Sequence, residues 1–282
     1  MTMFVLIPFT PANFITSPYT IWWLKKRGFT TPEAAAQTLV DTLLWQLIQM
    51  IISLSSFITI TYHIVYTKDI EFTSQVEVGY WFIVGGIVMD WVILVFLFVV
   101  GFSVHIHLWI SLLSNKIKKI MHLSYSTSAE TRKKYLEDKV IKNKFKELLF
   151  KDWKITLFVI GAYACWEICT YSLLAGGLEL VKADESISIS FIKVFDVSNV
   201  SNTATKFMPV PGEEGLIQWM MSSLFSSGYG ISGINDHREI KEFTKNGITI
   251  WRFFTTYIPL FIGLSYFLIF YICKAIKKYI IK

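Results

Sequence analysis

The chain has 282 residues, of which 53% are apolar and 17% are charged, and its formal net charge is +6. Soluble domains usually carry about 25% charged residues, spread along the chain. Here the charges are nearly absent from four long stretches and dense between them, which excludes an ordinary soluble domain. The positive excess follows from membrane topology and attraction to anionic lipid, so we predict no nucleic-acid partner.

Four apolar stretches are each long enough to cross a bilayer as a helix. A helix rises about 1.5 Å per residue and the hydrocarbon core is about 30 Å thick, so roughly 20 apolar residues suffice. The sequence therefore predicts an all-α polytopic membrane protein with about four transmembrane helices in a single transmembrane domain, residues 1–282. The predicted spans are residues 34–66, 78–113, 154–181 and 247–273. For the longer spans we expect tilt, extension beyond the bilayer, or a kink at Gly85-Gly86 or Gly101.

The distribution of Lys and Arg predicts the orientation of these spans. Most of the 27 basic residues lie before the first span, between the second and third, and after the fourth. By the positive-inside rule these segments are cytoplasmic, which gives a multi-pass protein of the cell membrane with both termini in the cytoplasm. Apolar residues recur every three or four positions in residues 114–152, which predicts a cytoplasmic helical hairpin. Its basic face either rests on anionic headgroups or is an ordinary solvated face.

The long segment of residues 182–246 is predicted to lie outside, and it has two contrasting parts. The first part, ADESISISFIKVFDVSNVSNTAT, is polar and favours β-structure. The second contains an apolar run from Leu216 to Phe225 that is too short to span the bilayer. We predict a re-entrant helical element over residues 209–227, of the kind that lines a cavity. Two prolines stop a helix before the run and two glycines permit an end after it: Pro209, Pro211, Gly228 and Gly230.

Three pieces of the chain carry a resemblance to one family. They are TPANFITSPYTIWWLKKRGFTTPEAAA at residues 10–36, PVPGEEGLIQW at 209–219 and WRFFTTYIPLFIGL at 251–264. Their order and spacing resemble the lysylphosphatidylglycerol synthase transmembrane family, also called the flippase-like family. The resemblance implies a polytopic fold that binds or moves aminoacylated or glycosylated lipids. It also implies that one or two N-terminal spans are missing here, to be supplied by an upstream start or by a partner chain.

The chain keeps the scaffold residues of this family better than its charged ones. The residues that match the pattern are Pro211, Gly212, Gly215 and Arg252. Other positions depart from the pattern. Ile15-Thr16 stand where the family has Gly-Gly, Thr20 stands where it has Arg, and Thr42 stands where it has the Arg that follows an acid, here Asp41. Glu213 stands where the family has a second Gly, and Gln218 stands where it has Glu. The resemblance therefore transfers the fold more fully than the activity.

The candidate lipid-binding residues come from the spans and from the re-entrant element. Asp41 and Glu167 are acids inside predicted spans, so they should face the bundle or a wet cavity. Each either holds a lipid amine, relays a proton or makes a structural hydrogen bond. Arg252 either binds a lipid phosphate, snorkels to the outer headgroups, or pairs with Glu213 or Glu214. The remaining candidates are Pro211, Gly212, Gly215 and Gln218.

No catalytic motif is present in the sequence. It has no P-loop, Gly-x-Ser-x-Gly, His-Glu-x-x-His or dinucleotide fingerprint, so we predict no enzyme, no catalytic residue, no metal site and no cofactor. We predict a protein that binds or translocates lipid across the cytoplasmic membrane. Glu213 and Glu214 favour a cationic or zwitterionic headgroup, unless Arg252 neutralises them. The alternatives are a structural or assembly subunit with a degenerate groove and the membrane part of a lipid-modifying enzyme; a homo-oligomer is also open.

Overall fold

The structure, a computed structural model, describes residues 16–68, 70, 72–121, 128–182, 185–205, 215–234 and 236–280. This part of the chain is almost entirely helical, which confirms the all-α prediction. Four of its helices are long and apolar enough to cross a membrane. These four helices are Thr31–Thr67, Ser74–Phe102, Trp153–Val181 and Arg238–Cys273.

The helices follow one another with short connections. In chain order they are α1 (Thr16–Lys26), α2 (Thr31–Tyr62), α3 (Ser74–Phe102), α4 (Val104–Ile120), α5 (Ser128–Lys146), α6 (Trp153–Val181), α7 (Phe191–Thr205), α8 (Leu216–Ser226), α9 (His237–Arg252) and α10 (Ile258–Ile280). Wider π-helical turns follow α2, α5 and α9 at His63–Thr67, Glu147–Lys151 and Phe253–Tyr257. Two short antiparallel strands, β1 (Ser188–Ile189) and β2 (Ile231–Ser232), pair Ser188 with Ser232 and Ile189 with Ile231.

Large apolar side chains cover the outer faces of the long helices. On α6, Phe158 is 77% exposed, and on α3, Trp81 is 64% exposed. Soluble proteins rarely leave contiguous apolar surface of this extent facing water. These faces fit contact with lipid tails, in agreement with the length and composition of the helices. The other large apolar side chains exposed on α3 are Val78, Val88, Met89, Trp91, Val92, Val95, Phe96 and Phe98.

The chain forms two compact units, and three long helices contribute residues to both. The first unit comprises Met1–Thr16, Met50–Met89 and Cys165–Lys282, so far as these are described. The second unit comprises Ser17–Gln49 and Asp90–Ala164. The boundaries between the units therefore fall inside α2, α3 and α6.

Phe145 of α5 lies at the centre of the second unit. Its ring is fully buried and meets the ring of Phe102 edge to face, with the centroids 5.2 Å apart. A Cβ on Gly101 would lie 2.3 Å from the Phe145 ring, so the absence of a side chain at Gly101 allows this approach. The helix then breaks at Ser103, which has extended backbone angles. As a result α3 ends at Phe102, eleven residues short of the predicted span 78–113, and the first helix of the predicted hairpin begins at Val104 instead of near residue 114.

In the first unit, α7 lies against α2, α3 and α8. Its valines Val194, Val197 and Val200 are fully buried in the core of this unit. The preference for β-structure predicted for this segment is wrong from Phe191 to Thr205, where the chain is α-helical. Hydroxyls of α7 bond to carbonyls one turn earlier in the same helix, and burial against neighbouring helices overrides the weak local preference.

The short helix α8 agrees with the prediction of a helix too short to span. It has 11 residues, equivalent to about 16 Å, roughly half the thickness of the hydrocarbon core. Positive φ angles at Gly228 (+85°) and Gly230 (+89°) turn the chain after its end. Both angles fall in the left-handed region that glycine tolerates. The preceding part of the predicted re-entrant element, residues 209–214, lies outside the described residues.

Gly86 should be intolerant of any side chain, because α3 and α7 touch there through their backbones. A Cβ on Gly86 would lie 2.2 Å from the carbonyl oxygen of Thr203. We expect Gly86→Ala to lower the free energy of unfolding by about 1–3 kcal/mol, the usual effect of overpacking. Thermal unfolding in detergent measures this loss of stability. Gly176→Ala is the matched control, since that position on α6 has no atom within 4 Å and gains helix propensity. Equal unfolding midpoints for the two variants would contradict the close contact.

Candidate functional site

A cavity of about 330 Å³ lies in the first unit beside α8 and α9. Its volume is at the lower end of the range for small-molecule sites, which is about 300–1,000 Å³. Seven of the ten residues that line it have polar side chains. The lining residues are Gln75, Gly215, Gln218, Trp219, Ser222, Ser223, Ser226, Lys241, Lys245 and Ile248.

Helix α8 forms one wall of the cavity because it is amphipathic. Its apolar face is buried in the core of the unit through Ile217, Met220, Met221, Leu224 and Phe225. The opposite face carries Gln218, Ser222 and Ser226, four residues apart, which places them in one row along the helix. The wall begins at Gly215, whose φ of +77° starts the helix with a backbone turn that favours glycine.

Helix α9 forms a second wall and brings two positive charges to it. The helix starts at the cap residue Asp236, whose carboxylate accepts the backbone N–H of Arg238 at 2.9 Å. One face of α9 is buried through Ile240, Phe243, Thr244, Gly247 and Ile248. Lys241 and Lys245 are exposed, lie one turn apart, and both line the cavity.

This lining is suited to an anion that offers several oxygen acceptors. The two ammonium groups supply charge, while the serine hydroxyls and the Gln218 amide supply neutral donors. The indole of Trp219 adds an apolar surface beside them. A phosphate ester fits this combination of donors better than a purely cationic group.

The predicted site residues fall in different places. Gly215 and Gln218 line the cavity, whereas Pro211, Gly212, Glu213 and Glu214 lie outside the described residues. Glu167 on α6 and Arg252 at the end of α9 are both buried in the first unit, but neither lines the cavity. Asp41 is in the second unit, where it is exposed and accepts a hydrogen bond from the Tyr163 hydroxyl. The structure thus brings two of the predicted residues to one site.

Arg252 is held where α9 meets α6. Its guanidinium lies 4.9 Å from the ring centroid of Trp251, and the Trp251 Nε1–H donates to the carbonyl of Thr170 at 2.9 Å. Thr170 follows Glu167 by one turn on α6. Further along this crossing, a Cβ on Gly177 would lie 2.9 Å from the carbonyl oxygen of Gly247. Small residues let the two helices approach closely, and the crossing fixes the wall formed by α9.

A layer of buried polar side chains on α7 lies opposite α2, and the sequence did not predict it. The Ser53 and Thr203 hydroxyls are 2.7 Å apart, and the Asn199 amide donates to the Ser56 hydroxyl at 3.0 Å. On the other side of α7, the Asn202 amide donates to the Tyr171 hydroxyl at 2.8 Å. The available signal was the run DVSNVSNTAT, because six of the ten residues that α7 buries are polar.

Asp196 is the acidic member of this layer. Its side chain is only 4% exposed. Burial raises the pKa of Asp196 to about 6, and hydrogen bonding from the Ser56 and Tyr229 hydroxyls only partly offsets that effect. The buried ring of Tyr229 meets the imidazole of His63 at 5.1 Å, and the Lys193 ammonium lies 5.1 Å from the same ring.

Removal of the Asn199 amide should destabilise the first unit. Asn199→Ala leaves the buried hydroxyls of Ser53 and Ser56 with one partner fewer each, because Asn199 bonds to both. Loss of a partner for a buried polar group costs about 1–3 kcal/mol. Asn246→Ala on the exposed face of α9 is the matched control. Chemical unfolding in detergent should show a reduced stability for Asn199→Ala only, and an unchanged stability would contradict a structural role for the layer.

Comparison with known proteins gives relatives without an assigned function. No protein-family model and no solved structure matches the chain. It is 25% identical over 255 residues to an uncharacterized protein of Mycoplasma pneumoniae, a match that covers 89% of this chain and 62% of the relative. It is 26% identical over 265 residues to an uncharacterized protein of Mycoplasma genitalium, covering 91% and 65% respectively. The chain therefore spans less than two thirds of each of these two relatives.

Proposed function

We propose that this protein binds a phospholipid headgroup in the cavity beside α8 and α9 and translocates lipid across the cell membrane. The observation that carries the proposal is the pair of lysines, Lys241 and Lys245, that line the cavity together with three serines and two glutamines. A membrane protein with a small cavity that bears donors for phosphate oxygens is suited to the polar end of a lipid. The tails stay in the bilayer, against the exposed apolar faces of the long helices.

The charges of the cavity favour a zwitterionic or anionic headgroup over a purely cationic one. Two lysines attract a phosphate, and each charge-assisted hydrogen bond contributes about 1.5–3 kcal/mol. Glu213 and Glu214 directly precede Gly215 in the sequence, and we propose that they bind the headgroup amine. A zwitterionic phospholipid offers a partner to both sets of charges.

The resemblance to the flippase-like family supports the same proposal. The pieces that carry it include Gly215 and Gln218, which line the cavity, and Arg252, which ends the helix that brings the lysines to the cavity. The pattern of basic residues favours cytoplasmic termini and a cytoplasmic hairpin, with the cavity-bearing segment outside. We propose that lipid enters the cavity from the outer leaflet.

The orientation of the chain is tested by cysteine labelling. With Cys165, Cys169 and Cys273 replaced, a cysteine at Ser74 should react with an impermeant maleimide added to intact cells. A cysteine at Ser126 should react only after the membrane is opened, because the positive-inside rule places it in the cytoplasm. The reverse pattern of labelling would contradict the orientation.

Loss of both cavity lysines should weaken phospholipid binding. We expect Lys241→Ala/Lys245→Ala to raise the Kd for a labelled zwitterionic phospholipid about tenfold or more, the equivalent of one lost charge-assisted hydrogen bond. Lipid movement in vesicles made with purified protein should slow in parallel. Binding by the wild type should weaken as salt is added, because both lysines are exposed.

The matched control is Lys133→Ala/Lys139→Ala, which removes two exposed lysines from α5 in the second unit. It changes the net charge by the same amount and should leave both binding and movement unchanged. Equal effects of the two double variants would show that lipid binding and movement depend only on the total charge of the protein. Normal binding and movement in the cavity variant would contradict the proposal and favour a structural subunit.

A further inference from the structure

The polar layer between α2 and α7 forms an ordered series of hydrogen bonds that ends at Asp196. The Asn199 Oδ1 accepts from the Ser53 hydroxyl at 3.5 Å, while its amide nitrogen donates to the Ser56 hydroxyl oxygen at 3.0 Å. The Ser56 hydroxyl then serves as a hydrogen-bond donor to the Asp196 carboxylate. Because an amide has one accepting and one donating end, Asn199 fixes the direction of the whole series.

Among the described residues, only the hydroxyls of Ser56 and Tyr229 lower the pKa of Asp196, and its Oδ2 atom is buried without a hydrogen-bond partner. None of the ion pairs among the described residues includes Asp196; they join Lys144 and Lys151 to Glu147, and Lys182 to Glu179. A buried carboxylate without an opposite charge is costly, and protonation removes that cost. The titratable groups placed around Asp196 are Tyr229, and beyond it His63 and Lys193, which contact the Tyr229 ring.

Tyr229 lies beside Asp196 in this layer. Its side chain is fully buried, and its hydroxyl offsets part of the rise in the pKa of Asp196. Its ring meets the half-buried imidazole of His63, in the π-helical turn that follows α2. The His63 Nδ1 lies 3.1 Å from the Thr67 hydroxyl, which is exposed. Tyr229 and His63 are thus joined by a contact between their rings, on the side of the layer next to the end of α2.

We propose that Asp196 is a proton-binding site, which takes up and releases one proton. On uptake, a proton from water converts the carboxylate to a carboxylic acid, and on release it returns to water. No other bond is made or broken. This inference goes beyond headgroup binding and does not depend on it.

Protonation changes what Asp196 offers to α2. As a carboxylate it accepts the hydrogen bond of Ser56, whose oxygen also accepts from Asn199. As an acid it has one proton to donate, while its other oxygen can still accept from the Ser56 hydroxyl. A hydrogen bond to a neutral acceptor is weaker than one to a charged acceptor, so protonation weakens the bond between Ser56 and Asp196. The proton is therefore coupled to the contact between α2 and α7. In a chain without a nucleotide-binding motif, such coupling can link lipid movement to a proton gradient.

Infrared spectroscopy of the full chain in lipid nanodiscs tests the site directly. The C=O stretch of a protonated carboxylic acid should appear as the pH falls through about 6, well above the ordinary range of an aspartic acid. It should be missing in Asp196→Asn and unchanged in Glu185→Gln, an exposed control. A band that titrates near pH 4, or one that persists in Asp196→Asn, would overturn the proposal.

The pH dependence of the stability of the folded protein gives a second test, and the direction of the expected change is defined. Asp196 binds its proton more tightly in the folded protein, with a pKa of about 6 against an ordinary value of 3.8. The stability that protonation confers is complete below pH 4 and is lost as the pH rises to about 6. The unfolding midpoint of the wild type should therefore fall relative to that of Asp196→Asn across this window. Parallel curves for the two proteins would contradict the proposal.

Two milder variants test the surroundings of the carboxyl group, in case Asp196→Asn does not fold. Ser56→Ala and Tyr229→Phe each remove a hydroxyl that stabilises the charged form, so each should move the infrared midpoint to higher pH. Ser55→Ala is the matched control, because that exposed hydroxyl bonds only to the carbonyl of Ile52 in its own helix. Unmoved midpoints in both variants would overturn the assignment. These readouts report on the carboxyl itself, whether or not the cavity binds lipid.

Discussion

The burial of the polar helix α7 is the constraint on which the first unit depends. Its side chains at Asp196, Ser198, Asn199, Ser201, Thr203 and Thr205 are all buried, in a chain that is otherwise strongly apolar. Each buried polar group that lacks a partner costs about 1–3 kcal/mol. Hydroxyls of α7 bond to carbonyls of their own helix, whereas the Asn199 and Asn202 amides take partners from neighbouring helices. Helix α2 presents Ser53 and Ser56 to the layer, and α3 presents Gly86, which allows its backbone to touch that of α7 at Thr203. The polar layer therefore fixes the register of α2 and α3 against α7 more narrowly than apolar packing would.

The cavity rests on this arrangement. Helix α8 packs on α7 through its buried apolar face, and α9 packs on α8. The far end of α9 is tied to α6 by the hydrogen bond from Trp251 to Thr170 and by the close approach of Gly177 and Gly247. The two walls that carry the serines and the lysines are thus each attached to a packed helix. This packing fixes the helices that carry the donors, whereas the exposed lysine side chains would lose conformational freedom on binding a phosphate. The proposed proton site lies in the polar layer of the same unit, so a change of charge at Asp196 would act on the helix against which α8 is packed.

Composition was sufficient to predict the all-α fold and the four span-length helices, because a bilayer demands long uncharged helices. It could not predict the break at Ser103, since neither Gly101 nor Ser103 alone ends a helix and the close approach of Phe145 is a tertiary contact. The helical state of α7 was not predicted because valine, serine and asparagine are weak helix formers. The residues of other helices that hydrogen-bond to the polar side chains of α7 lie on α2 and α6, far away in the sequence. Gly215 and Gln218 came from the family resemblance. Lys241 and Lys245 stand one turn apart on an amphipathic helix, but only the fold shows that this turn faces the serines of α8.

We propose that a phospholipid headgroup occupies the cavity beside α8 and α9, and photo-crosslinking with a headgroup-labelled phospholipid can locate it. The protein in nanodiscs is irradiated with a lipid that carries the photoreactive group beside its phosphate, and the modified residues are located by mass spectrometry. We expect adducts on Trp219, Ser222 or the cavity lysines, and their loss when excess unlabelled phospholipid competes. Adducts confined to the outer apolar faces of α3 and α6, with none in the cavity, would contradict it.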